Sequence, residues 1–381
     1  MVFKILHLSD GSLPDWRIEK AAISSKNRGY DVYFAGLKPK SNYKRNIFLQ
    51  VFDLNWSPKA RYRLPYQWYT LRKHMKKIID EVKPDIIHAH NIFSAKMAKE
   101  IDKYPVVYDN HEYWSKFLIS QYESSTDVSY YDTDMLAKIK RNVTTLGNQI
   151  KKNKRKMWID WELEITTKFP SLVPSSSIKL ELSRISNRIF LLPNFPLKNE
   201  IERIEPPNDN SEPSSVYAGT SPYKGYQTPI KNIDGFIDLF AMGKLGKLNV
   251  IGWNASDTEY IRYHGFLDRT DMINQMSKNS IGFIPWKKHP FHPYCSPNKA
   301  FEYAHTGLVV FSTNSLQPIF DTLLDNVVGF NDYPEMVEKF KNLISNTEEL
   351  FSKRVKTYEF ARSNLLWENY ENNIFEAYKQ A

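Results

Sequence analysis

The residues best placed to do chemistry lie in Tyr294-Cys295-Ser296-Pro297-Asn298-Lys299-Ala300-Phe301-Glu302-Tyr303-Ala304-His305-Thr306-Gly307, which runs into the apolar Leu308-Val309-Val310-Phe311. Ser-Pro-Asn predicts the opening of a short helix, and Gly307 its end before a buried strand. The unpaired N–H groups at such a helix start, together with the positive end of its dipole, favour an anion. Lys299 adds a mobile positive charge there. Glu302, one turn further on, can accept two hydrogen bonds from a vicinal diol such as a ribose; its competing role is that of a surface carboxylate. A pyrophosphate beside a ribose describes a nucleotide-sugar.

Two series of alternating strands and helices must position this segment. The first opens with Val2 to Leu8 as a strand, a loop at Ser9 to Asp15 containing Gly11, a helix to about Arg28, and the strand Tyr30 to Ala35. Asp85 to His88, a helix from about Ser94 to Ile101, Val106 to Tyr108, Pro170 to Pro174 and Ile189 to Asn194 continue it. Such alternation predicts an α/β protein with parallel doubly wound sheets, whose ligands lie beyond the carboxyl ends of the strands. In the first domain those ends carry Ser9 to Ser12, His88 to Asn91 (with His90), and Asp109 to Glu112 (with His111). The second series comprises Ser215 to Gly219, Lys247 to Gly252, Ile261 to His264, Ile281 to Pro285 and Leu308 to Ser312. The expected organisation is therefore a domain over 1–195, a Pro- and Asn-rich linker over 196–214, and a second domain over 215–363. A basic helical segment lies at about 119–167, and a final helix at about 364–381 is expected to cross back to the first domain.

With 381 residues, 41% of them hydrophobic and 14% aromatic, the chain is long enough for two ordinary cores. Its single cysteine, Cys295, excludes an internal disulfide and a thiolate metal site. The opening residues are too interrupted for a secretory signal, and no stretch approaches the ~18 apolar residues of a membrane span. A cytoplasmic protein, or one peripheral to a membrane, is expected. Residues 1–195 hold 33 Lys and Arg against 20 Asp and Glu, whereas residues 196–381 hold 19 against 23. The basic first half fits either a solvated helical face or a surface for anionic lipid head groups or a phosphorylated acceptor. Nucleic acid ranks last, since no nucleic-acid motif accompanies the charge.

These patterns resemble the GT-B glycosyltransferases, in particular the large retaining family 4 that uses nucleotide-sugar donors. The resemblance rests on Gly29-Tyr30-Asp31-Val32, Pro84-Asp85-Ile86-Ile87-His88-Ala89-His90, Val107-Tyr108-Asp109-Asn110-His111-Glu112, Leu192-Pro193-Asn194 and Ser296-Pro297-Asn298-Lys299-x-Phe301-Glu302-Tyr303 through Gly307, in the family's order. It implies two Rossmann-like domains facing a cleft, with donor binding by Glu302, Lys299, Ser296, Asn298, Gly219 and Gly252. His111 and Lys224 would be catalytic, and Gly11, His90 and Asn91 would lie on the acceptor side. Where the wider family has a first glutamate this chain has Tyr294, and the arginine usual after Gly219 is absent. The load then shifts to Lys224, Lys299 and the backbone N–H groups around Cys295, Ser296 and Asn298.

The implied reaction is metal-independent transfer of a sugar, a hexose above all, from a nucleoside diphosphate to a glycan or lipid-linked hydroxyl, with retention. No cofactor beyond the nucleotide-sugar substrate is expected. A non-catalytic nucleotide-sugar or glycan-binding protein, and a sugar-nucleotide epimerase or hydrolase, remain as alternatives on the same architecture.

Overall fold

A computed structural model describes residues 2–381 apart from 41–42, 44–45, 55–64, 118–152, 154, 209–212, 220, 222–228 and 244. The chain forms two compact units, Met1–Leu192 with Tyr370–Ala381, and Pro193–Asn369.

The first unit is built on seven strands: Lys4–Ser12 (β1), Asp31–Leu37 (β2), Gln50–Asp53 (β3), Ile86–His90 (β4), Val106–Asp109 (β5), Ser171–Val173 (β6) and Ile189–Leu191 (β7). All are parallel, in the order β3-β2-β1-β4-β5-β6-β7. Every residue of β4 and β5 is buried, as a parallel sheet covered on both faces requires. Leu6, Leu8, Ile87, Ala89, Phe93, Tyr108 and Trp158 belong to its main core cluster. The strand order reverses direction between β1 and β4, so the carboxyl ends of these strands, with that of β5 beside them, flank the switch point where ligands bind such sheets.

β1 runs four residues beyond the expected Leu8, because both its neighbours continue the ladder: Ser9 pairs with His90 and Ser12 with Leu37. The edge strand β3 was not expected, since its four residues are exposed or half-buried and carry no continuous apolar run. The helix anticipated from Ser94 starts at Asn91. Of the basic segment at 119–167, residues 118–152 lie outside the described residues, and a helix covers 155–168. The final helix is split: Thr347–Asn364 ends where it was expected to begin, a turn at Trp367–Asn369 buries Trp367, and Asn372–Lys379 follows. That last helix is part of the first unit. Arg28 stacks on Phe375 at 3.6 Å, Ser24 donates to Glu371 at 2.6 Å, and Tyr378 reaches His88 at 2.8 Å.

The second unit carries Ser215–Ala218 (β8), Leu248–Ile251 (β9), Ile261–Tyr263 (β10), Ile281–Ile284 (β11), Val309–Thr313 (β12) and Val327–Phe330 (β13), all parallel, in the order β10-β9-β8-β11-β12-β13. Its switch point falls between β8 and β11. The outer strand β13 escaped sequence reading because its apolar run, Val327-Val328-Gly329-Phe330, is short and broken by a glycine; three of its four residues are only half-buried. Residues 196–208, from the stretch read as a linker, pack within this unit. Trp367 N–H donates to Pro196 O at 3.0 Å, and Tyr358 and Arg362 both donate to Ile204 O. Among the described residues no helix is long and apolar enough to cross a membrane.

Candidate functional site

In the second unit the segment found by sequence forms the helix Asn298–His305 with Pro297 at its cap, preceded by a single turn at His292–Tyr294. Ala300, Phe301, Tyr303 and Ala304 are fully buried and fix the helix against the sheet. The Tyr303 hydroxyl accepts from Ala218 N–H at 2.8 Å and donates to Phe283 O at 3.5 Å, which pins the helix across the β8–β11 switch point. Gly307 ends it with φ +68°, and a Cβ there would collide with Pro207.

Pro297 offers no capping side chain, so the first-turn donors stay open. Neither the backbone N–H groups nor the side chains of Ser296, Asn298 and Lys299 hydrogen-bond any described residue. Cys295 N–H, by contrast, is spent on His292 O at 3.0 Å. His292 itself is fixed by Ile230 O at 2.7 Å and Ser315 Oγ at 2.6 Å, and burial lowers its pKa to about 4, so the ring is neutral. Tyr294 closes the turn before the helix, its N–H on Phe291 O at 3.0 Å. Burial, then the nearby charge of Lys231, lowers the Lys299 ammonium to about 7, against a smaller opposing pull from Glu302. The site thus holds a cation that an incoming anion would stabilise.

Glu302 is 5% exposed and forms an ion pair through Oε1 with Arg269. Arg269 in turn meets both carboxylate oxygens of Glu200, at 3.0 and 3.2 Å. Burial opposes the Arg269 charge, but Glu302 and Glu200 outweigh it and raise its pKa. The outcome is a fixed carboxylate with Oε2 unused by the described residues. Sequence reasoning missed Arg269 and Glu200. The one local signal was a cation just after Asp268, in the first turn of a helix, where acids are the norm.

Gly219 and Gly252 end β8 and β9 side by side. Gly219 N–H donates to Ile251 O at 2.9 Å, and Gly252 N–H to Gly265 O at 2.8 Å. Gly252 has φ +120°, and a Cβ on it would strike the Gly219 carbonyl. Both positions therefore need glycine, Gly252 for its approach to Gly219 and Gly219 for the Tyr217 ring packed on it. Lys224 lies outside the described residues.

In the first unit, His90 and His111 come together with Asp109 and His88, from the strand ends read in the sequence, and with Arg17 and His7, which sequence reading did not single out. Arg17 donates to Asp109 Oδ1 through Nε at 2.8 Å and Nη2 at 2.6 Å, and to Leu192 O at 2.8 Å. Asp109 Oδ2 lies 3.4 Å from His88 Nε2, 3.2 Å from His90 Nδ1 and 3.6 Å from His111 Nε2. His90 joins His7 at 2.9 Å and His111 at 3.0 Å. Burial lowers the pKa of His7, His88 and His90, and neighbouring histidines lower those of His7 and His90 further. Burial pushes Asp109 up, but Arg17 and His111 outweigh it and hold the carboxyl well below its usual range.

Since Asp109 only accepts, the partners dictate that His88 donates from Nε2 and accepts the Tyr378 hydroxyl at Nδ1. His7 Nδ1 and His90 Nε2 share a hydrogen bond at 2.9 Å, and His7 Nε2 is buried without a partner among the described residues. His90 and Asp109 are fully buried, so only His111, at 13% side-chain exposure, carries this network outward. Among the described residues two overlapping sets, His7-His88-His90 and His90-Asp109-His111, have ligand atoms close enough for a metal ion. Arg17 and His88 hydrogen-bond Asp109, Arg17 balances its charge, and His90 and His111 lie within ion-pair range of it.

Gly11 N–H is tied to Ser9 Oγ at 2.9 Å. Asn91, at φ +69°, is held by Asp10 at 3.3 Å and Trp114 at 2.8 Å. Arg17 was missed because nothing local marks a buried cation in a helix whose visible features are its Asp15 cap and Glu19.

Residues 22–161 match the model described as Glycosyltransferase Family 4. No curated protein matches the chain. Solved structures of similar fold include sucrose-phosphate synthase from Thermosynechococcus elongatus, at TM-score 0.69 and 14% identity over 99% of this chain and 98% of that one. Anabaena HepE in complex with UDP-glucose gives 0.66 and 13%, over 99% and 100%. WaaG, a glycosyltransferase involved in lipopolysaccharide biosynthesis, gives 0.62 and 12%, over 98% of both chains. With two parallel α/β sheets and these structural likenesses, the chain has the two-sheet fold of these structures, and residues 22–161 in its first unit are similar to Glycosyltransferase Family 4.

Proposed function

We propose that this protein moves a sugar, a hexose above all, from a nucleoside-diphosphate sugar to a hydroxyl of a glycan or lipid-linked acceptor, with retention and without a metal ion. The observation that carries the proposal is the half-site at Ser296–Glu302. Three open N–H groups, an ammonium lowered to about 7 and a fixed buried carboxylate stand within two helical turns. The N–H groups and Lys299 suit the diphosphate, and Glu302 Oε2 suits a ribose hydroxyl. HepE, of similar fold, is seen with UDP and UDP-glucose, which supports a nucleotide-sugar donor.

In the proposed step the acceptor oxygen bonds to the anomeric carbon as the bond from that carbon to the diphosphate oxygen breaks. The acceptor proton passes to the departing diphosphate on the same face of the sugar. Lys299, Lys224 and the helix start stabilise the charge gathering on the leaving group, where preorganised donors contribute most. His111, braced by His90 and Asp109, is assigned to the sugar; Gly11, His90 and Asn91 shape the acceptor side. The excess of cations in residues 1–195 supports a lipid-linked acceptor reached from the cytoplasmic face of a membrane.

Proton NMR of reactions containing UDP-, GDP- or ADP-sugars and candidate acceptors tests this. Transfer that keeps the donor's anomeric configuration is expected from one of them, and lost in Lys224→Ala. Binding without turnover would establish the non-catalytic alternative; turnover needing no acceptor would establish an epimerase or hydrolase.

A further inference from the structure

Glu162 is a buried carboxylate that the proposed reaction leaves without a task. It sits on the helix over 155–168, 2% exposed. Among the described residues its bonds all come from neutral donors: Oε1 accepts from Tyr108 Oη at 2.9 Å and Asn110 Nδ2 at 3.0 Å, and Oε2 accepts from Ser115 N–H at 2.9 Å. These donors bracket His111, two before it and one after. A carboxylate buried without a cation is costly, and burial pushes this one up to about 7 against the pull of Ser115 and Tyr108. A fold needing only a filler at this point would do better with an apolar side chain. No neutral side chain, however, accepts on two oxygens at once. Glutamine would set its NH2 against either the Tyr108 and Asn110 donors or the Ser115 amide.

We propose that Glu162 is a positioning residue that clamps the turn Asn110–Ser115 at both ends and so holds His111 where sugar transfer needs it. The inference rests on the transferase role given to His111 above. Misplacing a catalytic group by about 1 Å can cost about 100-fold in rate, so a clamp on this turn is a lever on kcat.

A double-mutant cycle separates this role from general support of the fold. In otherwise native protein, Glu162→Gln is expected to lower kcat about 10-fold or more and shift the donor KM less than about 2-fold. In a His111→Ala background the same change is expected to remove less than about 2-fold, because the group it positions is gone. Equal losses in both backgrounds, or a kcat within about 2-fold of native in Glu162→Gln, would overturn the proposal. If the native protein transfers no sugar, the transferase reading fails by itself. Amide exchange then decides the clamp: faster exchange of Ser115 in Glu162→Gln, with β5 and β6 unchanged, supports it, and an unchanged Ser115 overturns it.

Discussion

Lys299 gives the donor site a proton to take up. Its ammonium, ordinarily near 10.5, is lowered to about 7 by burial and by Lys231, so the free site is half charged at neutral pH. A bound diphosphate supplies the missing counter-charge and returns the group toward about 10.4. Binding should then take up ~0.1 proton at pH 6, ~0.5 at pH 7 and ~0.9 at pH 8, and the apparent affinity should fall roughly 50-fold between pH 7 and 9. Titration calorimetry in buffers of differing ionisation enthalpy measures the uptake directly. An intact nucleotide-sugar is the ligand of choice, since neither of its phosphates titrates in this range. The folded-state pKa lies below the unfolded one, so the stability linked to this group is full above about 10.5 and is lost as pH falls toward about 7. Lys299→Met should therefore melt higher than native protein at pH 7 while binding donor more weakly, with the stability gap closing at high pH. Uptake below ~0.2 proton at pH 8, or equal uptake in Lys299→Met, would refute the reasoning.

Three further outcomes follow from the same geometry. Glu162 is raised from 4.5 to about 7, so its linked stability is full below about 4.5 and lost as pH rises through about 7. Urea unfolding of Glu162→Gln relative to native protein should move in the variant's favour by about 2 to 3 kcal/mol between pH 5 and pH 8, and a pH-independent difference would contradict the assignment. Arg269→Met leaves Glu302 and Glu200 buried without their cation and should cost about 3 to 5 kcal/mol in denaturant unfolding. Gly252→Ala forces a side chain onto the Gly219 carbonyl at φ +120°, and should cost about 1 to 3 kcal/mol or more by thermal unfolding and abolish donor binding.

Strands buried on both faces were located by sequence because continuous runs such as Ile86 to His90 and Val309 to Thr313 carry their own signal, and the outer strands β7 and β10 were located as well. β3 has polar residues at both ends and β13 a run of four broken by a glycine, so neither short outer strand stood out. The helix at Asn298–His305 was legible because proline at its start and glycine after its end are local features. The charges that fix it were not. Arg269 reaches Glu302 from 33 residues away, and Arg17 reaches Asp109 from 92. Pairings over such separations leave no spacing to read. Glu162 was hidden for a similar reason: it stands between Asp160 and Glu164 as one more helix acid, and its partners lie on another strand and loop.

The account stands or falls on whether Ser296–Glu302 holds a nucleotide-sugar. The direct measurement is equilibrium titration of UDP-, GDP- and ADP-sugars against native protein and Glu302→Gln, with folding of both checked by circular dichroism. One donor should bind the native protein and lose about 10-fold or more in affinity in the variant, as expected for a buried carboxylate that accepts from a ribose hydroxyl. Equal binding by both proteins, or none by the native one, would contradict it.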